Sequence, residues 1–296
     1  MWRASGLLVF NIGFNTGFDT KTIAFYRIKK MRKERFRMVR KKCRYVIFVA
    51  LTLVIGVGCA SPTSNLKKPT RTERARMLIQ IANGAIIEGD AIGALQNLAE
   101  AEKENNRLPE LFHSRALAFH QKKDLDKAIL AARKAVELKP DYSDANNTLG
   151  KLLMDSGKHQ EAIRYLELAA NDSLYRESFK AWTNLGILKF RLEDYAQSEE
   201  FLNNAIKDSP LGSCIAYHYL GHISLKKKHF DEAIHHYEQA TKKSCAGYGE
   251  ARVSLGMAYE QNKQSHLARK VFLDVEKRFP NTQYAEQALE HLRYLP

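Results

Sequence analysis

The stretch Phe179-Lys180-Ala181-Trp182-Thr183-Asn184-Leu185-Gly186, followed by Ala205 and Pro210, sets the reading of the whole chain. It places apolar residues at helical spacing, then a small residue, then a second helix that Pro210 ends, because proline has no amide proton to continue it. The small residue returns as Ala82, Ala116, Gly150, Gly186, Gly221 and Gly256, at intervals of 34, 34, 36, 35 and 35. A second column follows in Ala94, Ala128, Ala162, Ser198, Ala233 and Ala268, and a third in Ala101, Ala135, Ala169, Ala205, Ala240 and Val275. Small side chains at fixed places on consecutive helices let those helices cross closely. The period therefore predicts six helical hairpins, and Pro140 and Pro280 close two more of the units. A hairpin cannot bury its apolar face alone, so the units stack and a terminal helix covers the last one. Residues 283–295 carry Tyr284, Ala288, Leu289, Leu292 and Tyr294 at helical spacing and supply that cap.

The set Trp182, Leu185, Gly186, Ala205 and Pro210 resembles the tetratricopeptide repeat. That resemblance implies an all-α superhelix of about six hairpins plus a C-terminal capping helix over residues 75–296, and a surface that binds protein. Fold of this kind leaves the partner open.

The formal charge is +14, but its distribution excludes the obvious inference. Residues 1–58 hold 13 Lys/Arg against 2 Asp/Glu, leaving 34 against 31 for the rest. A nucleic-acid binder carries its excess on the folded part that meets phosphate, and here the folded part is nearly neutral. The basic excess belongs to a leader. From Met38 the sequence runs through Arg40, Lys41, Lys42 and Arg44, then an apolar run from Tyr45 to Val57, then Gly58-Cys59-Ala60-Ser61, the order of a secretory signal peptide over residues 38–58. The apolar run is shorter than the roughly 20 residues a membrane-spanning helix needs. Gly56-Val57-Gly58-Cys59 resembles the bacterial lipobox, with Gly where Leu is usual, and implies lipidation of Cys59; ordinary cleavage or an uncleaved anchor is the alternative. Ala60 after that cysteine implies, by the same resemblance, sorting to the periplasmic face of the outer membrane. Residues 59–74 then read as a tether, and residues 1–37 as a mis-assigned start, with translation beginning at Met31 or Met38, or as an N-terminal extension.

No phosphate-cradling glycine loop, Gly-x-Ser-x-Gly elbow or paired Cys-x-x-Cys occurs, so the sequence offers no enzyme, no cofactor and no small-molecule substrate. His218 and His222 lie four apart but lack a third ligand, which argues against a metal and for polar lining of a groove. Cys214 and Cys245 open and close one hairpin. The start of its first helix and the end of its second lie at the same end, so the two thiols meet as a disulfide or stay as separate buried thiols.

In such a superhelix the first helix of each unit faces the concave side. The register assigns a partner-binding groove to Ile79, His113, Asn147, Lys180, Thr183, Ile187, Phe190, Ile215, His218 and His222, with Phe190 as the apolar anchor. One segment is more specific. Asn171-Asp172-Ser173-Leu174-Tyr175 replaces the usual closing proline in a junction two residues longer than the others, and Lys277-Arg278-Phe279-Pro280 ends the last unit. Both resemble the PilF (or PilW) family of type IV pilus biogenesis lipoproteins. That resemblance implies a pilotin, which escorts secretin subunits to the outer membrane and helps them assemble. The other reading is a lipoprotein adaptor of the NlpI kind for periplasmic peptidoglycan hydrolases or proteases.

Overall fold

The computed structural model describes residues 68–296. Cys59, the signal segment and the extension before it lie outside the described residues. Among the described residues there are thirteen α-helices and no strand. The first helices of the six units are α1 (Arg71–Glu88), α3 (Pro109–Gln121), α5 (Ser143–Asp155), α7 (Ser178–Arg191), α9 (Cys214–Lys226) and α11 (Gly249–Gln261). Their second helices are α2 (Ala91–Glu104), α4 (Leu125–Leu138), α6 (His159–Ala170), α8 (Tyr195–Asp208), α10 (Phe230–Gln239) and α12 (Ser265–Arg278), and α13 (Gln283–Tyr294) caps the array. No described helix is long and apolar enough to cross a membrane.

The first helix begins at Arg71, four residues before the boundary read from apolar periodicity. The reason is local. The Thr70 hydroxyl accepts the amide of Glu73 while the Glu73 carboxylate accepts the amide of Thr70, a capping box that satisfies two otherwise unpaired donors. Periodicity misses this because the first turn carries Arg71, Thr72, Glu73 and Arg74, none of them apolar.

The turn inside every hairpin has one geometry. Its pivotal residue is left-handed in all six units: Gly89, Lys123, Gly157, Glu193, Lys228 and Lys263, with φ between 59° and 89°. The next residue caps the second helix, and Asp90, Asp124 and Asp194 do so by accepting the amide three residues on.

Within each hairpin the small-residue column works as its register requires. A Cβ added at Gly150 would lie 2.5 Å from Leu166, at Gly186 2.6 Å from Leu202 and at Gly221 2.5 Å from the Tyr237 ring, and at Gly256 it would strike Phe272. Leu166, Leu202, Tyr237 and Phe272 are fully buried. Each comes from the second helix of the same unit, so the glycine is the socket for the largest side chain at the crossing.

Cys214, at the start of α9, is joined to Cys245, in a single 3₁₀ turn (Lys243–Cys245) after α10. A cross-link spanning 31 residues of sequence stabilises by roughly 3–4 kcal/mol in the chain-entropy account. Intact-mass measurement after thiol alkylation should find neither Cys214 nor Cys245 alkylated in exported protein, and two alkylated thiols would refute the pairing. Gly221→Ala should destabilise by about 1–3 kcal/mol, because Tyr237 has nowhere to go. Gly84→Ala, where nothing lies within 4 Å of the added carbon, should be neutral or stabilise by up to about 1 kcal/mol. Urea denaturation of the two variants separates socket glycines from incidental ones.

Candidate functional site

Counting each unit from Ala75, Pro109, Ser143, Phe179, Cys214 and Gly249, the second residues of the first helices are Arg76, Glu110, Asp144, Lys180, Ile215 and Glu250. None of the six is buried, and Arg76 pairs with Glu110 of the next unit at 3.2 Å. Lys180 and Ile215 of the groove assignment belong to this column.

The fifth residues behave differently. Ile79, Thr183 and His218 are 3%, 6% and 1% exposed, and Ile187, a ninth residue, is 8% exposed. These four are therefore not groove surface but fill the seam between adjacent first helices. The polar fifth residues bond to the sixth residue of the next unit: His113 Nε2 meets the Thr148 hydroxyl at 2.9 Å, Asn184 Nδ2 donates to Asn147 Oδ1 at 2.8 Å, and His218 Nε2 meets the Ser254 hydroxyl at 3.0 Å. Thr183 instead turns back to donate to the Phe179 carbonyl at 2.7 Å. A polar ladder thus runs along the first helices and fixes the stacking of one unit on the next.

Tyrosines from the junctions close the ladder from outside. The Tyr142 hydroxyl reaches His113 Nδ1 at 3.3 Å and the Tyr248 hydroxyl reaches His218 Nδ1 at 2.9 Å. Tyr175, in the longer junction, is half-buried beside Asp144 and Asn147. Asp172 shapes that junction by accepting the Leu174 amide at 2.9 Å and the Ser143 hydroxyl. Burial pushes the Tyr142 phenol up to about 12 and raises Tyr175 and Tyr248 as well. The side chains that sequence reasoning misses are Tyr142 and Tyr248, whose signal is a tyrosine immediately before a first helix; Tyr175 of the longer junction stands three residues before its own.

Phe190 and His222 are half-buried. The Phe190 ring packs on Tyr195, Tyr219 and His222 at centroid distances of 5.6, 5.3 and 6.1 Å, so it anchors the seam between the fourth and fifth units. His222 Nδ1 meets the Tyr237 hydroxyl at 2.8 Å, and its ring lies 4.3 Å from that of His218. Among the described residues no group of three or more His, Cys, Asp or Glu side chains is placed to hold a metal.

An exposed apolar surface lies elsewhere, on the first unit. In units two to six the third, seventh and tenth residues of the first helix sit against the second helix of the preceding unit, as Ala216, Leu220 and Ile223 do against Leu202 and Ala205. In the first unit those places hold Met77, Ile81 and Gly84. Met77 is 54% and Ile81 57% exposed, with Ile87 and Ile92 exposed nearby. Among the described residues nothing covers this stacking face of the first unit.

Models of the tetratricopeptide repeat match residues 89–143 and 147–213, 119–173, 214–244 and 250–282, together more than half of the chain. The chain belongs to the tetratricopeptide-repeat family. Proteins of this family bind protein partners and are generally non-catalytic scaffolds. The chain is similar to the type IV pilus assembly protein PilF of Pseudomonas aeruginosa, 24% identical over 174 residues, which are 57% of this chain and 66% of PilF. It thus spans just under two thirds of that relative. A solved structure of PilW, described as a widely conserved type IV pilus biogenesis factor, superposes with a TM-score of 0.63 at 18% identity, covering 73% of this chain and 98% of PilW. The solved structure of Pseudomonas aeruginosa PilF gives 0.61 at 17% identity, covering 76% and 99%. The repeat fold is common to all three.

Acid should weaken the ladder. Burial holds His218 down to about 3, and lowers His113 and His222 from the ordinary 6.5. The unfolded chain takes up protons below about 6.5 that the folded chain refuses, so stability is full above 6.5 and falls as pH drops from there towards 3. Each such histidine contributes a slope of up to about 1.4 kcal/mol per pH unit. Urea titrations of the wild type and His218→Gln at pH 7.5, 5.5 and 4.5 should show a flatter dependence in the variant. Equal slopes would mean that His218 is not the group held neutral.

Proposed function

We propose that this chain is a non-enzymatic outer-membrane lipoprotein scaffold of the pilotin kind, which brings the secretin subunits of a type IV pilus to the outer membrane and helps them assemble. The observation that carries the reading is the similarity to PilF, together with a six-unit, capped array that matches PilW over 98% of its length. The leader supports the location: lipid on Cys59 would place the anchor eleven residues before the Thr70 cap, a short tether to the membrane.

The partner contact follows from the bare stacking face. Every other unit covers its third, seventh and tenth positions with an amphipathic helix, so an amphipathic helix of the partner would extend the array at Met77, Ile81 and Gly84. Lys180 and Ile215 remain exposed on the first-helix side and would meet a segment continuing along it.

The double variant Met77→Glu/Ile81→Glu should fold normally, since both side chains are exposed, and weaken partner binding about 100-fold, roughly 3 kcal/mol. In cells, secretin multimers should decline while monomer persists. Normal secretin multimers and normal twitching in a complete deletion strain would overturn the pilotin reading and favour the hydrolase adaptor. Cys59→Ser should move the protein out of the outer-membrane fraction; retention there with an unchanged mass would disprove the lipid anchor.

A further inference from the structure

The fifth unit departs from the others at its second helix. α10 has 10 residues, while α2, α4, α8 and α12 have 14 each and α6 has 12. Beyond Gln239 the chain turns away through the 3₁₀ turn and is tied by Cys245 to Cys214 at the start of α9. Between α10, the segment that follows it, and α12 lies a crevice of about 650 Å³, floored by α11. It lies between second helices, apart from both the first-helix ladder and the bare face of the first unit.

The crevice has an apolar floor and a cationic wall. Leu255 and Tyr259 of α11 and Leu267 and Val271 of α12 form the floor. Lys242, Arg252, Lys270 and Arg278 face Glu238 and Asp274, four cations against two carboxylates. The two carboxylates are shared. Asp274 takes both Arg252 at 2.8 Å and Arg278 at 2.7 Å, and Glu238 takes Lys242 at 2.8 Å and the Tyr259 hydroxyl at 3.0 Å. Arg252, the innermost cation, holds two backbone carbonyls, Thr241 and Ala246, while its Nε has no acceptor. Its position is fixed and its charge is only partly compensated.

We propose that this crevice is a second protein-binding site, which takes an acidic peptide segment of a partner that also carries apolar side chains. Charge complementarity selects the acidic ligand, and the floor selects the apolar residues next to the acid. The volume falls within the few hundred to about 1,000 Å³ typical of sites that enclose a compact ligand. A scaffold built this way holds one partner at the end of its stack and a second at the fifth and sixth units.

The test uses the mature protein and fluorescein-labelled pentapeptides that combine two acidic with two apolar residues, compared with the same peptides bearing Lys in place of the acids. Fluorescence anisotropy at low salt should show binding of the acidic set, at least tenfold tighter than the Lys set, weakening as salt rises. Lys270→Glu/Arg278→Glu, both on the exposed rim, should lose at least tenfold while its melting temperature is unchanged. Lys226→Glu/Lys228→Glu, on the turn between α9 and α10, should bind as wild type. Equal binding of the two peptide sets, absence of binding up to millimolar concentration, or an unchanged affinity in the rim variant would overturn the proposal. Full displacement by low-millimolar inorganic phosphate, with no dependence on the apolar residues, would mark the crevice as a small-anion site and overturn it equally.

Discussion

Everything in this molecule depends on how closely two helices can cross inside one hairpin. At the crossing the first helix presents a small residue and the second presents a large one, and the two are matched. Gly150 and Gly186 receive leucines, Gly221 receives Tyr237 and Gly256 receives Phe272. In these four units the fit leaves no room for a methyl group, and in the first two the methyls of Ala82 and Ala116 are fully buried, so each hairpin has one geometry and the next unit has one place to stack. A repeat protein has no other source of long-range order, because each unit touches only its neighbours.

The stacking between units adds a second constraint. Apolar side chains from one first helix bury against the preceding second helix, and a polar ladder of His113–Thr148, Asn147–Asn184 and His218–Ser254 pins the register. Buried polar pairs contribute modest net stability but penalise any slip, since a slipped register leaves both groups unpaired. The ladder engages His113, Asn147 and His218 of the residues that a pattern reading places on the concave side, and Ile79, Thr183 and Ile187 are buried beside it. The second-residue column, from Arg76 to Glu250, stays exposed or half-buried, and among the described residues Met77 and Ile81 of the first unit are exposed where later units are covered.

The fifth unit concentrates the exceptions. Its second helix is short, its ends are cross-linked, and its centre holds His218 and His222 side by side with Tyr237 and Tyr248. Two of these features are linked directly. A tyrosine in the socket of Gly221 brings a hydroxyl into the hairpin, and His222 is the group that satisfies it. The disulfide ties the segment after the shortened α10 to the start of α9.

The sequence by itself determined the fold class, the six units, the cap and the possibility of the Cys214–Cys245 pairing, because each is a matter of spacing along one chain. Periodicity reports which residues share a helix face, and a small residue every 34 to 36 positions, in step with two further columns, is the mark of a stacked hairpin array. It could not tell that Ile79, Thr183, Ile187 and His218 are buried, because a face that turns inward in a hairpin and a face that turns inward in a stack have the same period. Only the angle at which successive units pack decides whether a fifth or ninth residue meets solvent or its neighbour. The exposed face of α1 and the crevice beside α10 were equally hidden: Met77 and Ile81 stand at the same register positions as Ala216 and Leu220, and which of these positions is covered depends on packing between units and not on the period.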